Sequence, residues 1–171
     1  MKRHQTPLII ALALAVVACF SPPVLAQDRA AVLAGAELTR VVPAAFYFQG
    51  QSAPTQMRNS AAARFGANRL VIAGMVDTSG YSAEIRARYE GFIITDSAIT
   101  IGSETLSTGA YGFGFSNDGK LNILDLGGNQ VLSVATTNDK ALRRPRPLTM
   151  TMDGANVRLY RGRDYVVIAA K

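Results

Sequence analysis

From Ala44 onward, short apolar stretches alternate with turn-forming residues at intervals of roughly 8–12 positions, and no other feature restricts the fold as much. The turn signals are Asn117-Asp118-Gly119, Gly127-Gly128-Asn129, Asp153-Gly154 and Arg161-Gly162. Gly, Asn and Asp tolerate the positive φ that tight hairpins demand. Between the turns lie the strand candidates Ala98–Ile101, Ala110–Phe115, Leu121–Leu126, Val131–Thr136, Leu148–Met152, Val157–Tyr160 and Tyr165–Ala169. This spacing predicts an all-β domain, an antiparallel β-sandwich or a flattened β-barrel. No internal repeat or low-complexity tract interrupts it.

The region before these strands is less uniform. "AFYFQGQ" reads as a strand that ends near a glycine. Arg69–Asp77 is continuously apolar, the mark of a strand buried on both faces. Ser52–Asn68 fits a loop plus a weak strand. Ser82–Glu90 carries two patterns. Ser82 as N-cap and a Glu84–Arg88 pair suit a helix. Strict alternation of Ala83, Ile85, Ala87 and Tyr89 with charged residues suits a strand running on into "GFIIT", and we favour the strand. Asp28–Val42 reads as a short amphipathic helix, with Ala31, Gly35, Leu38 and Val42 on one stripe, Asp28 as cap and Pro43 as stop.

The first residues resemble a secretory leader: Lys2 and Arg3, the apolar run "LIIALALAVVACF", then a Val-Leu-Ala exit with cleavage after Ala26. The run is short for a membrane span, which needs about 20 apolar residues. The alternative exit, "VVAC", resembles a bacterial lipobox in which Cys19 is lipidated and anchors the protein. The expected organisation is a signal peptide over 1–26, an N-terminal helix over 27–43 and one β domain over 44–171. The expected location is the periplasm or the outside of the cell.

Composition removes whole classes of chemistry once the leader is gone. The single Cys (Cys19) and the single His (His4) both lie within it, and the chain has no Trp. The remainder cannot form a disulfide, a Cys/His zinc site, a thiol nucleophile or a His-centred general base. Arginine dominates the basic residues, and it suits bidentate contacts to anions. The net charge of +6 is too small to make nucleic acid an expected partner of a secreted chain.

"ITIGSETLSTGAYGF", Ile99 to Phe113, resembles the Ile-x-Ile-Gly-x-x-x-Leu-x-x-Gly-x-Tyr signature of several secreted bacterial β-sandwich families without known function. The resemblance covers about a tenth of the chain. It implies a strand, a tight turn at Leu-x-x-Gly and a second strand from the Tyr. It implies no site residues.

Four constellations carry residue types suited to chemistry. "MVDTSG", Met75 to Gly80, is similar to the Asp-Thr-Gly of aspartic proteases, but Ser79 interrupts it. Its nearest echo is "TDSA", Thr95 to Ala98; a strand ending in a turn is the simpler reading. "SNDGKLNILD" offers oxygens at Ser116, Asp118, Asn122 and Asp125 but fails EF-hand spacing, so Asp118-Gly119 is expected to turn a hairpin rather than hold a metal. Tyr111, Phe113 and Phe115 share one strand face, expected to pack the core, and leave Gly112 and Gly114 bare on the other. Arg143, Arg144, Arg146, Arg158, Arg161 and Arg163 lie within twenty-one positions with a single acid, Asp153. They are the candidate ligand site, for an anionic envelope component or a small anion.

These observations point to a non-catalytic binding or scaffolding domain of the cell envelope, with no catalytic residue, metal or cofactor. A cofactor-free carboxylate hydrolase is one alternative. A small apolar-ligand carrier is another, though the Trp near the first strand of lipocalins is missing.

Overall fold

A computed structural model of the chain describes residues 30–66 and 69–171. The expected leader and the Asp28 cap lie outside the described residues. Within them, in chain order, are β1 (Ala31–Val32), α1 (Gly35–Val41), β2 (Ala45–Phe48), β3 (Gln51–Phe65), β4 (Arg69–Val76), α2 (Ala83–Arg86), β5 (Gly91–Thr95), β6 (Ile99–Ile101) and β7 (Glu104–Leu106). Then come β8 (Gly109–Ser116), β9 (Lys120–Leu124), β10 (Gln130–Ala135), β11 (Thr137–Asn138), β12 (Arg146–Asp153), β13 (Asn156–Gly162) and β14 (Asp164–Ala170).

The strands form two antiparallel sheets. The larger runs β1-β3-β4-β5-β8-β9-β10, with β2 on β3; the smaller runs β12-β13-β14-β6-β7, with β11 on β14. The flattened barrel is not formed. Among the described residues no ladder joins the sheets. The chain crosses between them through breaks at Asp96–Ala98 and Ser107–Thr108, where a closed barrel would need strands shared around its wall.

The sheets enclose an aliphatic core. Val71, Ala73, Ile93, Phe113, Leu121 and Ile123 of the larger sheet meet Ile99, Ile101, Leu148, Val157, Leu159 and Ile168 of the smaller. Phe113 is fully buried there, with Tyr111 and Phe115 partly buried beside it. The opposite face of the larger sheet is covered as well, by α1, β2 and the segment around α2. That second cluster contains Val42, Phe46, Phe48, Tyr81, Tyr89 and Phe92. Strand β4 lies between the two clusters, with Val71 and Ala73 in one and Ile72 and Val76 in the other. Its unbroken apolar run follows from that position.

Three expectations are corrected. The helix expected over 27–43 is confined to Gly35–Val41, because Ala31 and Val32 pair with Arg64 and Ala63 as a strand. Gly35, at φ +55°, cannot continue a helix backwards. Ser82–Glu90 is not a strand. Ser82 caps α2 by accepting from the Ile85 N–H, and the turn brings the Tyr81 and Tyr89 rings to 5.3 Å. Eight residues of extended chain would place them about 26 Å apart. In the Ile99–Phe113 stretch the tight turn falls at Gly102-Ser103, between β6 and β7, and Leu106-x-x-Gly109 is the crossing to the larger sheet.

Within the Ser52–Asn68 stretch, the residues up to Phe65 belong to one long strand, β3. Its Gln51–Pro54 part pairs with β2 and the residues from Thr55 onward pair with β4, with a register shift in that second ladder between Thr55 and Ser60.

Candidate functional site

The bare glycine face of β8 is a packing surface. A Cβ on Gly112 would stand 2.6 Å from the Phe48 ring and 3.2 Å from that of Tyr89. One on Gly114 would stand 2.2 Å from the Arg88 carbonyl oxygen. Phe48 and Tyr89 stack at 3.9 Å over this strip, and Phe46 stacks on Phe92 at 4.8 Å. The Tyr81 hydroxyl donates to the carbonyls of Phe48 and Gln51, which fastens the β2–β3 hairpin down. The Tyr89 hydroxyl is buried without a hydrogen-bond partner, and burial holds its pKa well above the ordinary value.

The carboxylates are engaged in turns and loops. Asp77 accepts from the Ser79 N–H at 3.0 Å. That bond and the Ser79 hydroxyl hold its carboxyl below the usual range. Asp96 accepts from the Leu70 N–H at 2.8 Å. Asp77 follows the last residue of β4 while Asp96 lies beside its second, so the two stand at opposite ends of that strand. A proton-sharing pair is geometrically excluded for them. Asp118 bonds the Ser116 hydroxyl and Lys120, which lower its pKa and brace the β8–β9 hairpin. Asp125 accepts from the Asn129 side chain and N–H, which lower its pKa in the next turn. No group of three or more His, Cys, Asp or Glu side chains gathers among the described residues.

The structure divides the six candidate arginines. Arg158 and Arg161 are held by acids. Arg158 bonds Asp153 at 3.0 Å and lies over the Tyr165 ring at 4.8 Å, with Tyr160 and Asp153 pushing its pKa further up. Arg161 reaches Glu90 at 2.5 Å, and Glu90 also accepts from the Phe115 N–H. It therefore ties the smaller sheet to the larger one.

The other four are exposed, and no carboxylate of the described residues pairs with them. Arg146 is the register partner of Gly162, which places it beside the turn that carries Arg163. The loop with Arg143 and Arg144 is pinned to the same turn, because the Asp139 N–H donates to the Arg163 carbonyl at 2.9 Å. Exposed Lys140 belongs to this loop and stands outside the arginine cluster in sequence, since the pairing of β11 with β14 and the Asp139–Arg163 bond bring it there. One end of the smaller sheet thus carries Lys140, Arg143, Arg144, Arg146 and Arg163 together.

A cleft of about 360 Å³ opens beside Arg146, between the β1–α1 segment, β3 and β12. Val32, Leu38 and Met150 form apolar walls; Arg146, Ser60 and Thr149 supply the polar groups. The sequence pattern did not mark this cleft, because its walls are distant in the chain and only the sandwich edge brings them together. Comparisons with protein-family models, curated proteins and solved structures give no match for the chain.

Proposed function

We propose that this protein is a non-catalytic binding domain of the cell envelope, exported by its N-terminal leader, that takes an anionic ligand at the basic end of its smaller sheet. The observation that carries this reading is the separation of the arginines. Arg158 and Arg161 are engaged in the fold, whereas Arg143, Arg144, Arg146 and Arg163 are exposed and make no ion pair among the described residues. Converging guanidinium groups favour bidentate contacts to phosphate, sulfate or carboxylate. Asp77, Asp96, Asp118 and Asp125 hold turns and loops, and the space between the sheets is packed with aliphatic side chains, which favours binding at the surface over catalysis or carriage inside a barrel.

Titration with inorganic phosphate, followed by amide NMR, tests the reading. Shifts confined to Lys140–Arg146 and Arg161–Asp164, lost in an Arg143→Gln/Arg163→Gln variant, are expected. An unchanged spectrum would overturn it.

A further inference from the structure

The cleft beside Arg146 has a composition that narrows the ligand. Its apolar walls come from Val32, Leu38 and Met150, Ser60 and Thr149 share the lining, and no aromatic ring among the described residues lines it. A nucleobase or a sugar would therefore find no stacking surface. No carboxylate among the described residues lines it either, so those residues offer nothing to a cation. Its volume, about 360 Å³, lies at the lower end of the range for small-ligand sites, about 300–1,000 Å³. Met150 adds a flexible wall that adapts to a chain of imprecise shape. At the rim, the exposed Arg146 guanidinium has no carboxylate partner among the described residues.

We infer that the cleft holds the alkyl chain of a single-chain amphiphile whose anionic head, a phosphate or a carboxylate, sits on Arg146 and the neighbouring Arg143, Arg144 and Arg163. This rests on the anion-binding reading above and adds the apolar half of the ligand to it. Arg146 is the hinge of the argument, because it belongs both to the basic end and to the cleft rim. Burying a chain of methylenes supplies affinity that a free anion lacks. The cationic rim favours an anionic head over a neutral one on a chain of the same length.

The test uses isothermal titration of the protein with dodecyl phosphate and dodecanoate below their micelle concentrations. Inorganic phosphate and dodecyl maltoside serve as head-only and neutral-head probes. At least one amphiphilic anion is expected to bind about tenfold or more tighter than inorganic phosphate, and about tenfold or more tighter than dodecyl maltoside. Whichever anion binds tighter assigns the head.

Two variants separate the parts. Arg146→Gln removes an exposed charge and is expected to weaken the amphiphile about tenfold. Ala34 is exposed, extended in backbone and part of the cleft wall, so Ala34→Trp fills the cleft from its rim without entering the core. It is expected to weaken the amphiphile by a similar factor and to leave inorganic phosphate unchanged. Both variants should keep the wild-type thermal midpoint. Equal binding of inorganic phosphate and the amphiphiles, untouched by Ala34→Trp, would overturn the alkyl-chain inference and leave anion binding standing. Failure of every anion to bind would overturn both. Binding of dodecyl maltoside as tightly as dodecyl phosphate would overturn the role of Arg146.

Discussion

The aromatic layer over the larger sheet and the basic end of the smaller one are built on opposite terms. In the first, side chains and backbone are mutually committed. Phe48 and Tyr89 stack over Gly112, the Arg88 carbonyl fills the space above Gly114, and Tyr81 ties the hairpin to the sheet. In the second, five cations share one end and make no ion pair among the described residues; the two acids beside them, Asp139 and Asp164, accept from Tyr160 and Asn138. The contrast teaches how to separate architecture from function by asking which side chains the fold already engages. A change in the committed layer should read out in stability, and a change at the uncommitted end should read out in binding.

The largest expected effect is at Phe48, which is fully buried. Phe48→Ala should lower unfolding free energy by about 3–5 kcal/mol, from lost burial and the cavity left behind. Urea denaturation measures it, and a loss below about 1 kcal/mol would show that the layer is loosely packed. Gly114→Ala comes next. Its methyl would meet a backbone carbonyl that cannot rotate away, so a cost of about 1–3 kcal/mol is expected.

Tyr89→Phe has a smaller effect and the opposite sign. It removes a buried hydroxyl without a partner, so stability should rise by about 1 kcal/mol or stay level. The phenol's pKa is raised in the folded state from an ordinary value of 10.0. Its contribution is therefore complete below pH 10.0 and falls as pH rises beyond it, because the unfolded chain ionises first. Wild type should lose stability between about pH 9 and about pH 11 more steeply than Tyr89→Phe. Parallel slopes would mean that Tyr89 reaches water in the folded state.

Much of the smaller sheet was legible because its signals are local. Asp153-Gly154 and Arg161-Gly162 mark turns within a few residues of the strands they join, and alternation between them is undisturbed. The committed layer was harder to read. Ala61, Ala62 and Ala63 have weak strand propensity, yet they are buried in the middle of β3, where neighbouring layers on both faces leave room for little more. Ser82–Glu90 alternates like a strand, but its fold is decided by Phe48, more than thirty residues away, which needs Tyr81 and Tyr89 together. The arginines were visible as a group. What sorted them was two acids, Asp153 and Glu90, and the second belongs to a distant part of the chain. The cleft left no local trace, since Leu38, Ser60 and Met150 meet only through tertiary packing.

The most direct test replaces all four free arginines at once, as Arg143→Gln/Arg144→Gln/Arg146→Gln/Arg163→Gln, and follows two quantities in the same preparation. Their side chains make no ion pair among the described residues, so the thermal midpoint should stay within about 2 °C of wild type. Affinity for dodecyl phosphate should fall by about tenfold or more. A midpoint lowered by several degrees with binding retained would contradict the account, because it would place these arginines among the residues that hold the fold.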